Sequence, residues 1–309
     1  MGNKASSKGE TRPWLEMPAD VEAANNIAPG MGILTQLDKI MIKQKWHFFE
    51  ALTSDLLEFR NKYEVMDENG NMVFFAGEES GCCMRFCCGR HRAFRMVFHD
   101  KDNKPVLTMI RKLKFCCACF PCCLQEMAVF PGAAEEYDAP GKIGEITQPQ
   151  WGGCFHPTLH LKDGNGNVEV TMKGPFIRND CCCNVPFQVL GNDGATEIGN
   201  VVKVKPNGCS GLAREAFTDA DNFNVDFPKD LKVETKATIL GAMMLIDFMF
   251  FEDNQKGCSC VICSSFFCGA PCEIICCGEG FVDLNICGCY IPIKGGDGGG
   301  PPKAEEMDR

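Results

Sequence analysis

The residues that most demand a chemical explanation are 23 cysteines in a chain of 309. They come in blocks: Cys82, Cys83, Cys87 and Cys88; then Cys116, Cys117, Cys119, Cys122 and Cys123; then Cys181 to Cys183; and a last group from Cys258 to Cys289. The N-terminus shows no apolar run of the secretory kind, so the expectation is a reducing compartment, where cysteines serve as thiols, metal ligands or acylation sites rather than as a disulfide framework. Cys116/Cys119 and Cys119/Cys122 have the C-x-x-C spacing of a zinc site. The same block lies beside Phe115, Phe120 and Leu124 and follows Arg111, Lys112 and Lys114, which suits an S-acylated basic loop facing a membrane. Palmitoylation of Cys116, Cys117, Cys119, Cys122 and Cys123 is the leading expectation; zinc and plain thiols stay as alternatives.

Two further stretches carry chemistry. Gly2 followed by Ser6 fits the N-myristoylation pattern, with Lys4 and Lys8 adding positive charge beside the lipid. From Asp219 to Asp230, carboxylates stand at positions 1, 3 and 12 of a twelve-residue frame, as a calcium loop requires. Asp219, Asp221, Phe223, Val225 and Asp230 form the expected set for a weak Ca²⁺ site. Phe223 at position 5 and Asn224 at the turn position depart from the EF-hand pattern. A competing reading makes Phe223, Val225 and Phe227 the inner face of a strand whose other face is wet.

The elements that must position these groups are mostly strands. Glu68-Asn69-Gly70, Asp100 to Lys104, Asp163 to Gly166 and Asn192-Asp193-Gly194 each separate two apolar-rich runs, and Asn-Gly and Asp-Gly supply the positive φ of tight hairpins. There is no βαβ alternation, Walker loop or dinucleotide fingerprint. A net charge of −10 and a pI near 5.1 argue against a general nucleic-acid binder.

The one long apolar run is Ala237 to Phe251, through Leu240, Leu245 and Asp247. As a helix it would reach roughly 22 Å against about 30 Å of bilayer hydrocarbon. Asp247 near its centre would cost about 3 kcal/mol in lipid. A core helix inside the β structure is therefore expected, with a membrane span as the alternative. The organisation expected is a flexible leader over 1–30, a folded domain over 31–254 and a cysteine-rich, Gly/Pro-rich tail over 255–309.

Lys62 to Val65 (KYEV), Cys82 to Phe94 (CCMRFCCGRHRAF), Cys116 to Glu126 (CCACFPCCLQE), Arg214 to Phe223 (REAFTDADNF), the following FPKDLKV and Leu245 to Glu252 (LIDFMFFE) together resemble the phospholipid scramblase family. The resemblance runs from about Gly32 to Asn254. It implies a mainly β fold, a closed antiparallel tubby-like barrel around a central apolar C-terminal helix. It also implies calcium-activated, ATP-independent, bidirectional movement of phospholipids between leaflets, without covalent chemistry and hence without a catalytic residue. Ca²⁺ is the implied cofactor, and the Asp219 to Asp230 segment and the second cysteine block its implied calcium and palmitoylation sites. Membrane phospholipids are the expected partners, with protein partners and self-association beside them, at the cytoplasmic face of the plasma membrane. The competing functions are a lipid-anchored adaptor that moves no lipid and a metal-binding regulator built on the cysteine blocks.

Overall fold

A computed structural model describes residues 12–17, 21–45, 61–81, 92–114, 124–150, 156–179, 184–204 and 222–251, together with four strands between 259 and 293. In chain order the strands are β1 (Lys39–Lys45), β2 (Lys62–Met66), β3 (Met72–Glu79), β4 (Phe94–His99), β5 (Pro105–Arg111), β6 (Glu126–Pro131), β7 (Gly144–Thr147), β8 (Thr158–Asp163) and β9 (Val168–Lys173). They continue with β10 (Ile177–Asn179), β11 (Val185–Leu190), β12 (Glu197–Val204), β13 (Asn222–Asp226), β14 (Ser259–Ile262), β15 (Cys272–Cys277), β16 (Phe281–Ile286) and β17 (Cys289–Ile293). The helices are α1 (Val21–Asn25) and α2 (Val233–Phe250), with a 3-10 turn at Met31–Gln36.

Twelve strands close an antiparallel barrel in the order β1-β13-β12-β11-β9-β8-β7-β6-β5-β4-β3-β2. β1 closes it, pairing Ile42 with Phe223 on one side and with Val65 on the other. Asp67 accepts bonds from the backbone N–H groups of Asn69 and Asn71, and Asp163 does the same for Asn165 and Asn167, so the hairpins expected from the sequence are held by their own side chains.

α2 runs through the barrel, and all but Glu234, Met249 and Phe250 of its 18 residues are buried. Leu240, Leu245, Ala237 and Phe251 are at most 2 % exposed. A helix apolar on every side is a helix wrapped on every side, and the neighbours supply the wrapping. Phe248 stacks on Phe94 of β4 at 4.1 Å between centroids, and Phe251 meets Phe187 of β11 and Phe223 of β13 edge-on. The closest approach is to β6 and β7. A Cβ on Gly241 would lie 3.0 Å from Ile146 Cδ1, and one on Gly144 would collide with Thr238 Oγ1. Gly144 needs glycine for space, and a side chain at Gly241 would make Ile146 give by a few tenths of an ångström. No helix among the described residues is long and apolar enough to cross a membrane.

Two expectations change. The leader is not free from Arg12 onward: Met72 N–H donates to Pro13 O and Leu15 N–H to Met72 O, both at 2.8 Å, and Trp14 bridges to β3. This cover lies over the start of β3; farther along, His99 stacks on Phe75 of the outer face and Arg92 pairs with Glu78. The tail, read only as cysteine-rich, contains β14 to β17. They join β10 in a separate sheet of order β10-β14-β15-β16-β17. The glycine- and proline-rich end beyond Ile293 lies outside the described residues.

Candidate functional site at the barrel mouths

An antiparallel meander sends alternate connections to opposite ends. At one end are the short turns 67–71, 100–104, 164–167 and 191–196, the loop 132–143 and the start of α2. At the other, the long connections 46–61, 80–93, 112–125, 148–157, 174–184 and 205–221 leave and rejoin the barrel, and α2 ends. Because β3–β4, β5–β6 and the β9–β11 crossing all turn at this second end, three of the cysteine blocks attach there. So does the connection that carries Asp219 and Asp221.

The described residues at this loop mouth form a dense polar girdle around the end of α2. Glu78 and Arg92, 1 % and 4 % exposed, make a fork with Nε to Oε1 at 2.7 Å and Nη2 to Oε2 at 2.9 Å. The Arg92 guanidinium also stands 4.8 Å from the Phe248 ring centre. Arg111, 2 % exposed, donates to Gln125 Oε1 at 2.6 and 3.1 Å, and Gln148 Oε1 accepts from the Gln125 backbone N–H. Tyr63 donates to Asp247 Oδ2 at 2.8 Å. Lys203 Nζ lies 3.7 Å from the Phe251 ring centre. Between helix end and wall is a narrow crevice of about 10 Å³, lined by Gln148, Leu159, Met172, Phe187, Ile246 and Met249. That is below the roughly 300–1,000 Å³ of small-molecule sites.

The hairpin mouth is closed by one cation. Lys236 Nζ, fully buried, donates to the carbonyls of Leu34, Leu37 and Lys229 at 3.0, 2.7 and 2.7 Å. Burial lowers its pKa to about 8. It ties the 3-10 turn before β1 to the turn before α2.

The sequence-expected site residues fall unevenly on this frame. Phe223 and Val225 are fully buried in β13, which is hydrogen-bonded to β1 on one side and β12 on the other. Asp230 lies at the opposite mouth, in the turn leading to α2, so residues 222–230 run the length of the barrel wall instead of wrapping one point. Asp219, Asp221, Gly2, Cys116, Cys117, Cys119, Cys122 and Cys123 lie outside the described residues. Among the described residues, no cluster of three His, Cys, Asp or Glu side chains could hold a metal ion. The cations before the second cysteine block are engaged: Arg111 as above, and Lys112 and Lys114 with Glu126 at 3.6 and 3.3 Å. Sequence reasoning missed the Glu78–Arg92 fork, because Glu78 of β3 meets Arg92 of the connection to β4 fourteen positions on and no local pattern marks them.

The family model described as Scramblase matches residues 17–253, which takes in the barrel and α2 and stops before β14. Phospholipid scramblase 1 of Mus musculus is 38% identical over 241 residues, 78% of this chain and 68% of its own length. Phospholipid scramblase 1 of Homo sapiens is 37% identical over 243 residues, 78% of this chain and 71% of its own length. Phospholipid scramblase family member 5 of Homo sapiens is 33% identical over 258 residues, 82% and 89% of the two chains. No solved structure matches. With a twelve-stranded barrel plugged by its last helix and a match across the whole of it, this chain belongs to the phospholipid scramblase family.

Proposed function

We propose that the chain moves phospholipids in both directions between the leaflets of a membrane, without ATP and in response to Ca²⁺, from the cytoplasmic face of the plasma membrane. Membership of the family carries this reading. The physics of the fold constrains how it works. Carrying a headgroup through hydrocarbon means shielding its charge, and a barrel filled by α2 has no lumen to do so. The lipid path therefore runs outside the barrel, at the surface the loop mouth presents, and changes no covalent bond.

In this reading myristoyl at Gly2 and palmitoyl on Cys116, Cys117, Cys119, Cys122 and Cys123 hold that mouth to the bilayer. One acyl chain binds only marginally, so stable anchoring takes both. A cation is held at the entrance of β13 by Asp219 and Asp221 on the 205–221 connection, which starts and ends at the same mouth. Calcium there would draw anionic headgroups to the barrel.

The filled interior also favours a second reading, a lipid-anchored adaptor that binds membrane and protein partners and moves no lipid. Purified protein in proteoliposomes bearing fluorescent phospholipid in both leaflets separates the two. Quenching of the inner-leaflet dye from outside, faster with calcium and lost in the Asp219→Ala, Asp221→Ala variant, supports scrambling. Quenching that stops at the outer leaflet with and without calcium supports the adaptor.

A further inference from the structure

Ile42, Val65, Phe187, Val201 and Phe223 belong to the barrel core, so their neighbours along each strand point outward. The register sorts these outward positions into rows across β2, β1, β13, β12 and β11. Nearest the loop mouth, Lys62 pairs with Lys45. The next row runs from Glu64 through Lys43 and Asn222 to Val204. The one after it runs from Met41 through Asn224 and Val202 to Pro186. Met41, Val202 and Val204 are half-buried, and Asn224 and Pro186 are exposed.

This wall is basic where it meets the loop mouth. The one carboxylate in these rows is Glu64, 5 % exposed and bonded to Arg12 at 3.1 Å. Two lysines directly opposite each other repel across a strand pair, and an anionic surface beside both removes that cost. The hairpin mouth is the reverse, with Asp67, Glu68, Asp100, Asp102, Asp163 and Asp193 in or beside its turns.

The whole chain carries a net charge of −10, so an anionic membrane repels it in most orientations. Distance selects the exception. A strand of six residues spans about 20 Å, more than twice the roughly 8 Å over which charge is felt at physiological salt. With the loop mouth down, the surface meets the lysines and is screened from the turn acids.

We propose that the outer wall from β2 through β1 and β13 to β11 is a docking surface for an anionic bilayer. Lys43, Lys45 and Lys62 take the headgroup phosphates and carboxylates, with Val202, Val204 and Pro186 against the interface. The rim where residues 205–221 leave and rejoin the barrel then faces the lipid. The inference rests on the reading that the chain works at a bilayer. It is independent of acyl chains, calcium and lipid movement.

The test is flotation of the full chain, without lipid modification and without calcium, on vesicles of phosphatidylcholine with phosphatidylserine. Lys45→Glu with Lys62→Glu reverses both charges and keeps the two positions alike in sign, so the strand pair's own repulsion stays. Lys101→Glu with Lys104→Glu makes the same change in net charge at the hairpin mouth, where both lysines are exposed. At about fivefold in affinity for each lysine at a charged surface, the first pair should lose about tenfold or more and the second less than about twofold. A tryptophan replacing Val202 should be quenched by brominated phosphatidylcholine beyond the parent's own tryptophans, and one replacing Val168 at the hairpin mouth should not. Equal losses from the two lysine pairs would show that only net charge counts and would overturn the proposal. So would full binding to phosphatidylcholine alone, or an unquenched tryptophan at 202. A solution mass that halves in the Lys45→Glu, Lys62→Glu variant would assign the face to a second copy instead. If that variant melts below the parent, Lys45→Gln with Lys62→Gln, which introduces no new charge, must still lose about tenfold or the proposal falls. Flotation reads no lipid movement, so failure of scrambling alone leaves this result standing.

Discussion

The two ends of this barrel solve opposite problems. At the hairpin mouth the strands are joined mostly by short turns whose Asp side chains bond the turn backbone, and the opening is sealed by one buried lysine on three carbonyls. At the loop mouth the connections are long, and they carry cysteines and the candidate cation residues. There the helix end is surrounded by side-chain pairs such as Glu78–Arg92 and Tyr63–Asp247. At one end the turns are held by local side-chain bonds and the opening by a single long-range lysine; at the other the helix end is held by several long-range side-chain pairs. Both mouths contribute stability, and the loop mouth adds the connections that carry the candidate interaction residues.

Breaking a buried pair at the loop mouth should have the largest effect. Arg92→Met leaves the buried Glu78 side chain without its fork, held only by Asn61 and Ser80, which costs about 3–5 kcal/mol. Chemical denaturation should show that loss, and Glu78→Met in the same chain should recover much of it.

At the hairpin mouth, Lys236→Met strands three carbonyls and should cost about 2–3 kcal/mol. Its pH dependence has a definite sign. The folded pKa of about 8 lies below the ordinary 10.5, so between those values the unfolded chain holds a proton the folded chain has lost. Stability of the parent relative to the variant should therefore rise from pH 8 to pH 10.5 and be flat below. No rise over that window, with a fall beginning near pH 10.5 instead, would mean the carbonyls hold the proton more strongly than burial expels it.

Much of this contrast was legible in the sequence, for reasons that differ by element. Asn-Gly and Asp-Gly pairs marked the hairpin turns because positive φ has a local residue signature. Ala237 to Phe251 announced a core helix because it was too short and carried Asp247. The partner of Asp247 was not legible: Tyr63 is 184 positions away, and only barrel closure brings it near. The tail strands were missed because their cysteines were weighed as thiol chemistry. Phe281–Ile286 alternates with period 2 without any cysteine, and Cys289 counted as a small apolar residue starts the same pattern in Cys289–Ile293. The packing of Trp14 on β3 had no periodic signal at all.

Tyr63→Phe sharpens the comparison further. It removes the hydroxyl that satisfies Asp247 and should cost about 1–3 kcal/mol, less than loss of the Arg92 fork. Thermal melts read the difference, and an unchanged melt would show that Asp247 is held by other means.

The smallest effect belongs to the hairpin turns. Asp193 accepts from Thr196 Oγ1 first, then from the Ala195 and Thr196 backbones, which lowers its pKa from 3.8 to about 2. Its contribution is present above pH 3.8 and lost as pH falls through 2. Asp193→Ala should melt slightly below the parent at neutral pH and merge with it near pH 2. A gap persisting in acid would assign the effect to backbone strain instead.

The account depends on α2 remaining the barrel's core while the loop mouth meets the bilayer. Amide hydrogen exchange of the full chain, free and on phosphatidylserine-containing vesicles, tests this directly. Residues 237–248 and the strands that pack on them, β6 to β8, should exchange only through global unfolding in both states, with new protection confined to the loop-mouth connections. If vesicles leave α2 protected but expose the amides of β6 to β8, the helix has left the barrel for the membrane and the account is wrong.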